Sequence, residues 1–192
     1  MSTPVAYTNR LTPDGLRTTA YGTKQKKRLR RLAKPLRRQM RIVDQIVTTA
    51  PPDLVFEIAA DVERWPIILP HYRFVRMLER EGLRGIVEMS AWRPFRTVRW
   101  PTWWTSEMRI DPSRREVHYK HIRGVTKGMD VVWQVNEVEK GTHINLVHEW
   151  DGPWWPLIGR PAARGLILPV FVHGIAALTL AGVSREAERR DA

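Results

Sequence analysis

The sequence predicts an α+β domain, an antiparallel sheet of six or seven strands with a long C-terminal helix and two short helices after the first strand. Three observations carry this. Residues 46–78 read as strand, double proline, short amphipathic helix, second helical turn, proline and strand. Residues 72–150 then alternate extended runs with turn signals at roughly ten-residue spacing. The chain ends in Pro161–Arg190, an apolar segment passing into a charged one, with the length of a helix.

The first strand is expected over Gln45–Thr49, which is rich in β-branched residues. Pro51 and Pro52 end it, and Pro52 sits where proline is welcome, in the first turn of a helix. Leu54, Val55, Ile58 and Ala59 follow the 3.6-residue period of one buried face. Trp65 and Ile68 extend that apolar surface to Pro70. Tyr72–Arg80 and Leu83–Trp92 are extended runs separated by Glu81-Gly82, and Arg96–Ile110 is a long strand broken near Pro101. Glu116–Arg123 follows the turn Asp111-Pro112-Ser113, and Met129–Val138 and Thr142–Trp150 are joined by a short hairpin.

This order resembles the START-like helix-grip superfamily, which includes polyketide cyclases/dehydrases and coenzyme Q-binding proteins. The residues carrying the resemblance are Val47–Ala50, Pro52, Val55, Phe56, Asp61, Val62, Trp65, Pro70 and Val75. The resemblance implies a sheet curved around the terminal helix, enclosing an apolar cavity, over about Arg41 to Ala187. Domain boundaries follow: 1–40 as a basic N-terminal arm, flexible or ordered by a partner, and 41–190 as the helix-grip domain.

Charge is unevenly distributed between these parts. Residues 1–41 hold 12 Lys/Arg against Asp14 alone, whereas the remainder holds 20 Lys/Arg against 19 Asp/Glu. A block of like charges is commonly a solvated tail. Leu29, Leu32, Leu36 and Met40 add an apolar spacing to residues 24–41, interrupted by Pro35, and such a segment suits an anionic membrane surface better than a nucleic-acid groove. Nucleic acid is thus the weaker reading of the arm. The N-terminus has no apolar run of the secretory kind, and the chain has no cysteine. The expected location is cytoplasmic, with peripheral contact on the inner face of a membrane. Residues 165–184 hold no charged residue other than His173, but Pro169, Gly174 and Gly182, and the place of this segment in the fold, assign it to the core rather than to a bilayer.

Alternation assigns the inward faces. Trp104, Ser106, Met108 and Ile110 share one face, joined by Val98 and Trp100 if no bulge intervenes at Pro101. Val117, Tyr119 and His121 form another set; so do Met129, Val131, Trp133 and Val135, and also Ile144, Leu146, His148 and Trp150. On the last helix Leu166, Val170, His173, Ala177 and Leu180 recur at helical spacing. The ligand-binding set is therefore Trp100, Trp104, Ser106, Met108, Tyr119, Trp133, His148, Trp150 and His173. Trp154 and Trp155, between Pro153 and Pro156, read as a lid or a membrane contact.

His148, His173 and Tyr119 are the candidates for acid/base work, since histidine exchanges protons near neutral pH. A lone histidine on an apolar face is more often a hydrogen-bonded core residue, and nine tryptophans can simply fill a core. No nucleophile elbow, Walker loop, dinucleotide glycine pattern or HExxH occurs, and no metal-ligand spacing, so neither metal nor cofactor is expected. Two function classes remain: a carrier of a hydrophobic molecule (polyketide, isoprenoid quinone, lipid or pigment-like), and an aromatase/cyclase or dehydratase acting in the same cavity. A partner- or RNA-docking module using the arm is the third reading.

Overall fold

A computed structural model describes residues 40–152 and 172–192, apart from 96–97 and the side chains of 93–99. Residues 1–39, which are all of the expected arm 1–40 but Met40, and residues 153–171, with the Trp154-Trp155 pair, lie outside the described residues.

Seven antiparallel strands form one curved sheet: β1 Met40–Thr48, β2 Tyr72–Glu81, β3 Arg84–Phe95, β4 Val98–Asp111, β5 Glu116–Gly124, β6 Asp130–Val138 and β7 Gly141–Trp150, in the order β1-β7-β6-β5-β4-β3-β2. Between β1 and β2 run α1 (Pro52–Ala60), a 3-10 turn (Val62–Arg64) and α2 (Trp65–Ile68). The last element is α3, His173–Asp191, which packs against β1, β3, β7 and α1. This is the helix-grip arrangement. The predicted helix start, Pro161, falls outside the described residues.

The strands follow the predicted alternation, with three differences. First, β1 begins at Met40 rather than Gln45 and pairs along its whole length with β7, from Met40↔Trp150 to Thr48↔Thr142. Second, Pro101 does not break β4. It pairs with Trp92 of β3, while pairing with β5 begins only at Trp104, so the proline lies where one side of the strand has no partner among the described residues. Third, the β4–β5 register shifts between Thr105 and Ser106, where Ile122 of β5 is the extra residue. β5 then ends at Gly124, with φ +98°, where a Cβ would lie 2.7 Å from the Trp103 carbonyl oxygen.

Helix α3 buries Ala176, Thr179, Leu180, Val183 and Ala187. Gly182 lets it approach α2 closely, because a Cβ there would overlap the buried Leu69 side chain. Thr48 Oγ1 donates to Glu188 Oε1 at 2.7 Å and ties the C-terminal half of the helix to β1. Ala177 is exposed: the buried stripe lies about one residue away from the predicted one. The upstream residues Leu166 and Val170, from which the stripe was counted, lie outside the described residues. No helix among the described residues is long and apolar enough to cross a membrane.

Replacing Gly124 by Ala forces a side chain into left-handed backbone against the β4 carbonyl. The expected cost is about 1–3 kcal/mol, read as a fall in Tm of several degrees at unchanged fold by circular dichroism. An unchanged Tm would show that the β4–β5 crossing is looser than this.

Candidate active site

The curvature of the sheet and the lid formed by α2 and α3 leave an internal cavity of about 80 Å³. Its lining comes from nearly every element: Trp65 of α2, Tyr72 of β2, Met89 of β3, Thr102 and Trp104 of β4, Tyr119 and His121 of β5, Val131 and Trp133 of β6, Leu146 and His148 of β7, and Ile175, Ala176 and Thr179 of α3. Larger clefts exist, one of about 610 Å³, but that one is lined by charged groups such as Arg80, Arg84, Glu107 and Lys120. The internal cavity is the better candidate, because ligand sites are mostly apolar with a few placed polar groups.

Aromatic rings dominate the wall. Trp133 and Trp65 lie with centroids 5.6 Å apart, Trp65 and Tyr72 meet edge to face at 5.2 Å, Tyr72 and Trp104 at 6.3 Å, and Trp104 stacks on His121 at 6.0 Å. Trp65 is fixed by its Nε1–H donating to the Ile58 carbonyl at 3.0 Å. This series of rings offers flat surfaces to a planar or folded unsaturated ligand.

Polar groups are few and specific. Tyr119 OH and His148 Nδ1 are buried without a hydrogen-bond partner among the described residues. His121 Nδ1 lies 2.6 Å from Thr126 Oγ1, and His71 Nε2 lies 2.9 Å from Thr179 Oγ1, which donates to the Ile175 carbonyl. Burial pushes His148 down to about 4. Burial, with His148 nearby, pushes His121 down to about 3. Burial raises the Tyr119 hydroxyl, with Tyr72 adding to the effect. His121 and His148 are thus neutral at physiological pH, and Tyr72 and Tyr119 keep their protons.

Four of the nine predicted ligand-binding residues line the cavity together: Trp104, Tyr119, Trp133 and His148. The other five lie elsewhere. Trp100 is 61% exposed, because the β3–β4 hairpin overhangs the point where β5 begins to cover β4. Ser106 and Met108 point inward but pack in the core away from this cavity. Trp150 is buried and donates through Nε1–H to the Lys127 carbonyl at 3.0 Å. His173 stands on the flank of the buried stripe of α3, with its side chain 61% exposed, and reaches out of the cavity to Asp44.

Sequence reasoning missed Trp65, Tyr72, His121, Thr126, Thr179 and Asp44. Asp44 is the most instructive. Met40, Asp44 and Thr48 are the buried positions of β1, so period-two counting from Met40 places a carboxylate on the inner face. Starting the strand at Gln45 hid it.

Residues 48–167 match the family model described as polyketide cyclase / dehydrase and lipid transport. The chain belongs to this family. Among curated relatives, a putative polyketide cyclase of Streptomyces halstedii is 30% identical over 99 residues, covering 51% of this chain and 89% of the relative. Another, from Streptomyces cyaneus, is 26% identical over 108 residues, covering 56% and 70%. Among solved structures, the Zhui aromatase/cyclase of a Streptomyces strain superposes with a TM-score of 0.66 at 24% identity, covering 79% of this chain and 95% of that one. That likeness shows the shared fold.

The neutral histidines fix the sign of a pH effect. Their folded pKa values lie below the unfolded value of about 6.5, so the unfolded chain binds more protons between about pH 4 and 6.5. Stability is expected to be full above about pH 6.5 and to fall as the pH drops toward 4. Urea melts at pH 7 and pH 5 should differ, and His121→Phe should reduce the difference. Equal midpoints at the two pH values would show that these histidines are not held neutral.

Proposed function

We propose that the cavity takes up a flexible hydrophobic polyketide chain, a poly-β-ketone, and guides its cyclisation and dehydration. The observation that carries this reading is the aromatic wall with two polar groups, Tyr119 OH and His148 Nδ1, that have no hydrogen-bond partner among the described residues on the same interior surface. Buried polar atoms without partners are costly, and a bound carbonyl or enol would satisfy them. Family membership and the names of the relatives support the reaction class.

The chemistry needs little from the protein. A poly-β-ketone already carries acidic CH groups between carbonyls, and it cyclises when one such carbon meets a second carbonyl. A shaped aromatic wall selects which pair meets, by holding one folded conformation. At about 80 Å³ the cavity is smaller than the several hundred Å³ usual for such ligands, so uptake must move side chains at its rim. Trp104 and Ile175 are only half-buried and are the groups placed to yield.

The same cavity serves a carrier, and the charge of residues 1–40 favours a membrane as the place of exchange. In this reading residues 24–41, with ten Lys/Arg and no acid, hold the domain at the inner face of an anionic membrane.

Two outcomes test these readings. Added to a minimal polyketide synthase that releases linear poly-β-ketones, the protein should convert a mixture of spontaneous products into one cyclised, dehydrated aromatic. An unchanged mixture would leave the carrier reading alone. Trp133→Ala should lower affinity for an aromatic polyketide at least tenfold, about 1.4 kcal/mol, measured by calorimetry.

Deleting residues 1–40 should abolish binding to phosphatidylserine vesicles in a flotation assay while leaving ligand affinity unchanged. Retained flotation would mean that the arm is not the anchor.

A further inference from the structure

One buried group has no place in a simple ligand chamber. Asp44 is 6% exposed, on the inner face of β1, among Met40, Ile42, Ile46 and Thr48. Burying a carboxylate in such surroundings is expensive unless it is paired. Its two oxygens face two different histidines. Oδ1 is hydrogen-bonded to Nδ1 of His173, the exposed first residue of α3. Oδ2 lies 3.8 Å from Nδ1 of His148, and both of those atoms lack a hydrogen-bond partner among the described residues. His148 is 7% exposed and lines the cavity. The carboxylate thus stands between an interior imidazole and a solvent-facing one.

We propose that Asp44, His148 and His173 form an acid/base unit for the cavity. His148 exchanges the proton through Nε2, and Asp44 orients it. His173 holds Asp44 from the solvent side. This deepens the cyclase reading and rests on it. The 3.8 Å separation closes to a hydrogen bond with a shift of under about 1 Å, which would satisfy both orphaned atoms at once. Nδ1–H of His148 then donates to Asp44, and this fixes the tautomer that leaves the Nε2 lone pair toward the cavity. An imidazolium formed there gains a carboxylate partner. The logic is that of any base oriented by a third group.

The substrate side of the unit lies on one row of the sheet. Tyr119 pairs with Val131, and Val131 with His148, so Tyr119 and His148 sit two strands apart, about 10 Å between backbones. Both side chains reach the same cavity. His148 Nε2 takes a proton from a carbon between two carbonyls, and that C–H bond breaks. The Tyr119 hydroxyl donates to the enolate oxygen. The enolate carbon bonds to a second carbonyl carbon, and the resulting alkoxide takes the proton back from His148. Loss of water repeats the cycle: His148 removes a second proton from the same carbon and delivers it to the departing hydroxyl. The sequence is redox-neutral and returns His148 to its starting state. The other titratable groups facing this space are His121 and Tyr119 from β5 and Tyr72 from β2, each of which stays uncharged at neutral pH. Asp44 is the carboxylate of this unit; burial raises its pKa, and His173 offsets only part of that rise.

Asp44→Asn keeps the shape and removes the charge. Histidine titrations followed by NMR on the ligand-free full chain read the coupling directly. The substitution should move the titration of His148 to lower pH, although Asp44 lies on β1 and His148 on β7. His173→Gln should shift His148 as well, and its amide N–H can still donate to Asp44, which keeps the helix end tied to β1. An unmoved His148 titration in both variants would overturn the proposal and reduce Asp44 to a helix anchor.

Proton exchange gives the second readout. The probe is 1-phenylbutane-1,3-dione in deuterium oxide, followed at the carbon between its carbonyls. The wild-type chain should accelerate exchange there above the buffer rate, and Asp44→Asn should lose at least tenfold of that acceleration with little change in the diketone's Kd. Equal acceleration by both proteins, or none by either, would refute the acid/base role. Exchange without cyclisation of a polyketide would count against the cyclase reading only.

Discussion

The docking of α3 across the concave face of the sheet is the constraint on which the rest depends. A curved antiparallel sheet has one apolar face to cover, and α3 covers it with a stripe of small residues. Ala176, Gly182 and Ala187 allow close approach, and Leu180 and Val183 fill the contact. Thr48–Glu188 fixes one end of the helix and Asp44–His173 the other. Shifting the helix along its axis would change the cavity roof, formed by Ile175, Ala176 and Thr179, and would part His173 from Asp44. Fold stability and site geometry thus rest on one interface.

That interface also explains how polar chemistry survives inside an apolar core. His71–Thr179–Ile175 is satisfied within the helix docking. His121–Thr126 is satisfied within the β5–β6 connection. Among the described residues, what remains unsatisfied is concentrated on the inner face of the sheet: Tyr119, His148, Asp44 and, apart from the cavity, Ser106. Structures seldom leave such atoms orphaned, and the three of them at or beside the cavity mark the place where a ligand or a proton is expected.

Much of the fold is legible in the residues. The double proline after β1, the helical period of Leu54–Ala59 and the evenly spaced turns of the meander are local signals, and each element formed where its signal lies. Strand alternation also carried Trp104, Tyr119, Trp133 and His148 onto one interior surface, because period two holds as long as register holds. It failed for Trp100, whose face is right but whose hairpin runs past the neighbouring strand, a fact of strand pairing that no single strand discloses. The helical count failed for His173 because a helix face is set by what docks on it, and the count was anchored on Leu166 and Val170, outside the described residues. Asp44 was hidden by a strand start placed five residues late. Edges of elements are weak local signals, and here the edge held the carboxylate.

Ligand-induced NMR shift mapping tests the central claim, that the interior cavity is the binding site, most directly. Titrating an aromatic polyketide into the labelled protein should perturb the indole resonances of Trp104 and Trp133 and the ring resonances of Tyr119 and His148, with the exposed Trp100 and Trp103 little changed. Shifts confined to Trp100, Trp103 and other surface groups, with the interior rings unmoved at saturation, would contradict it.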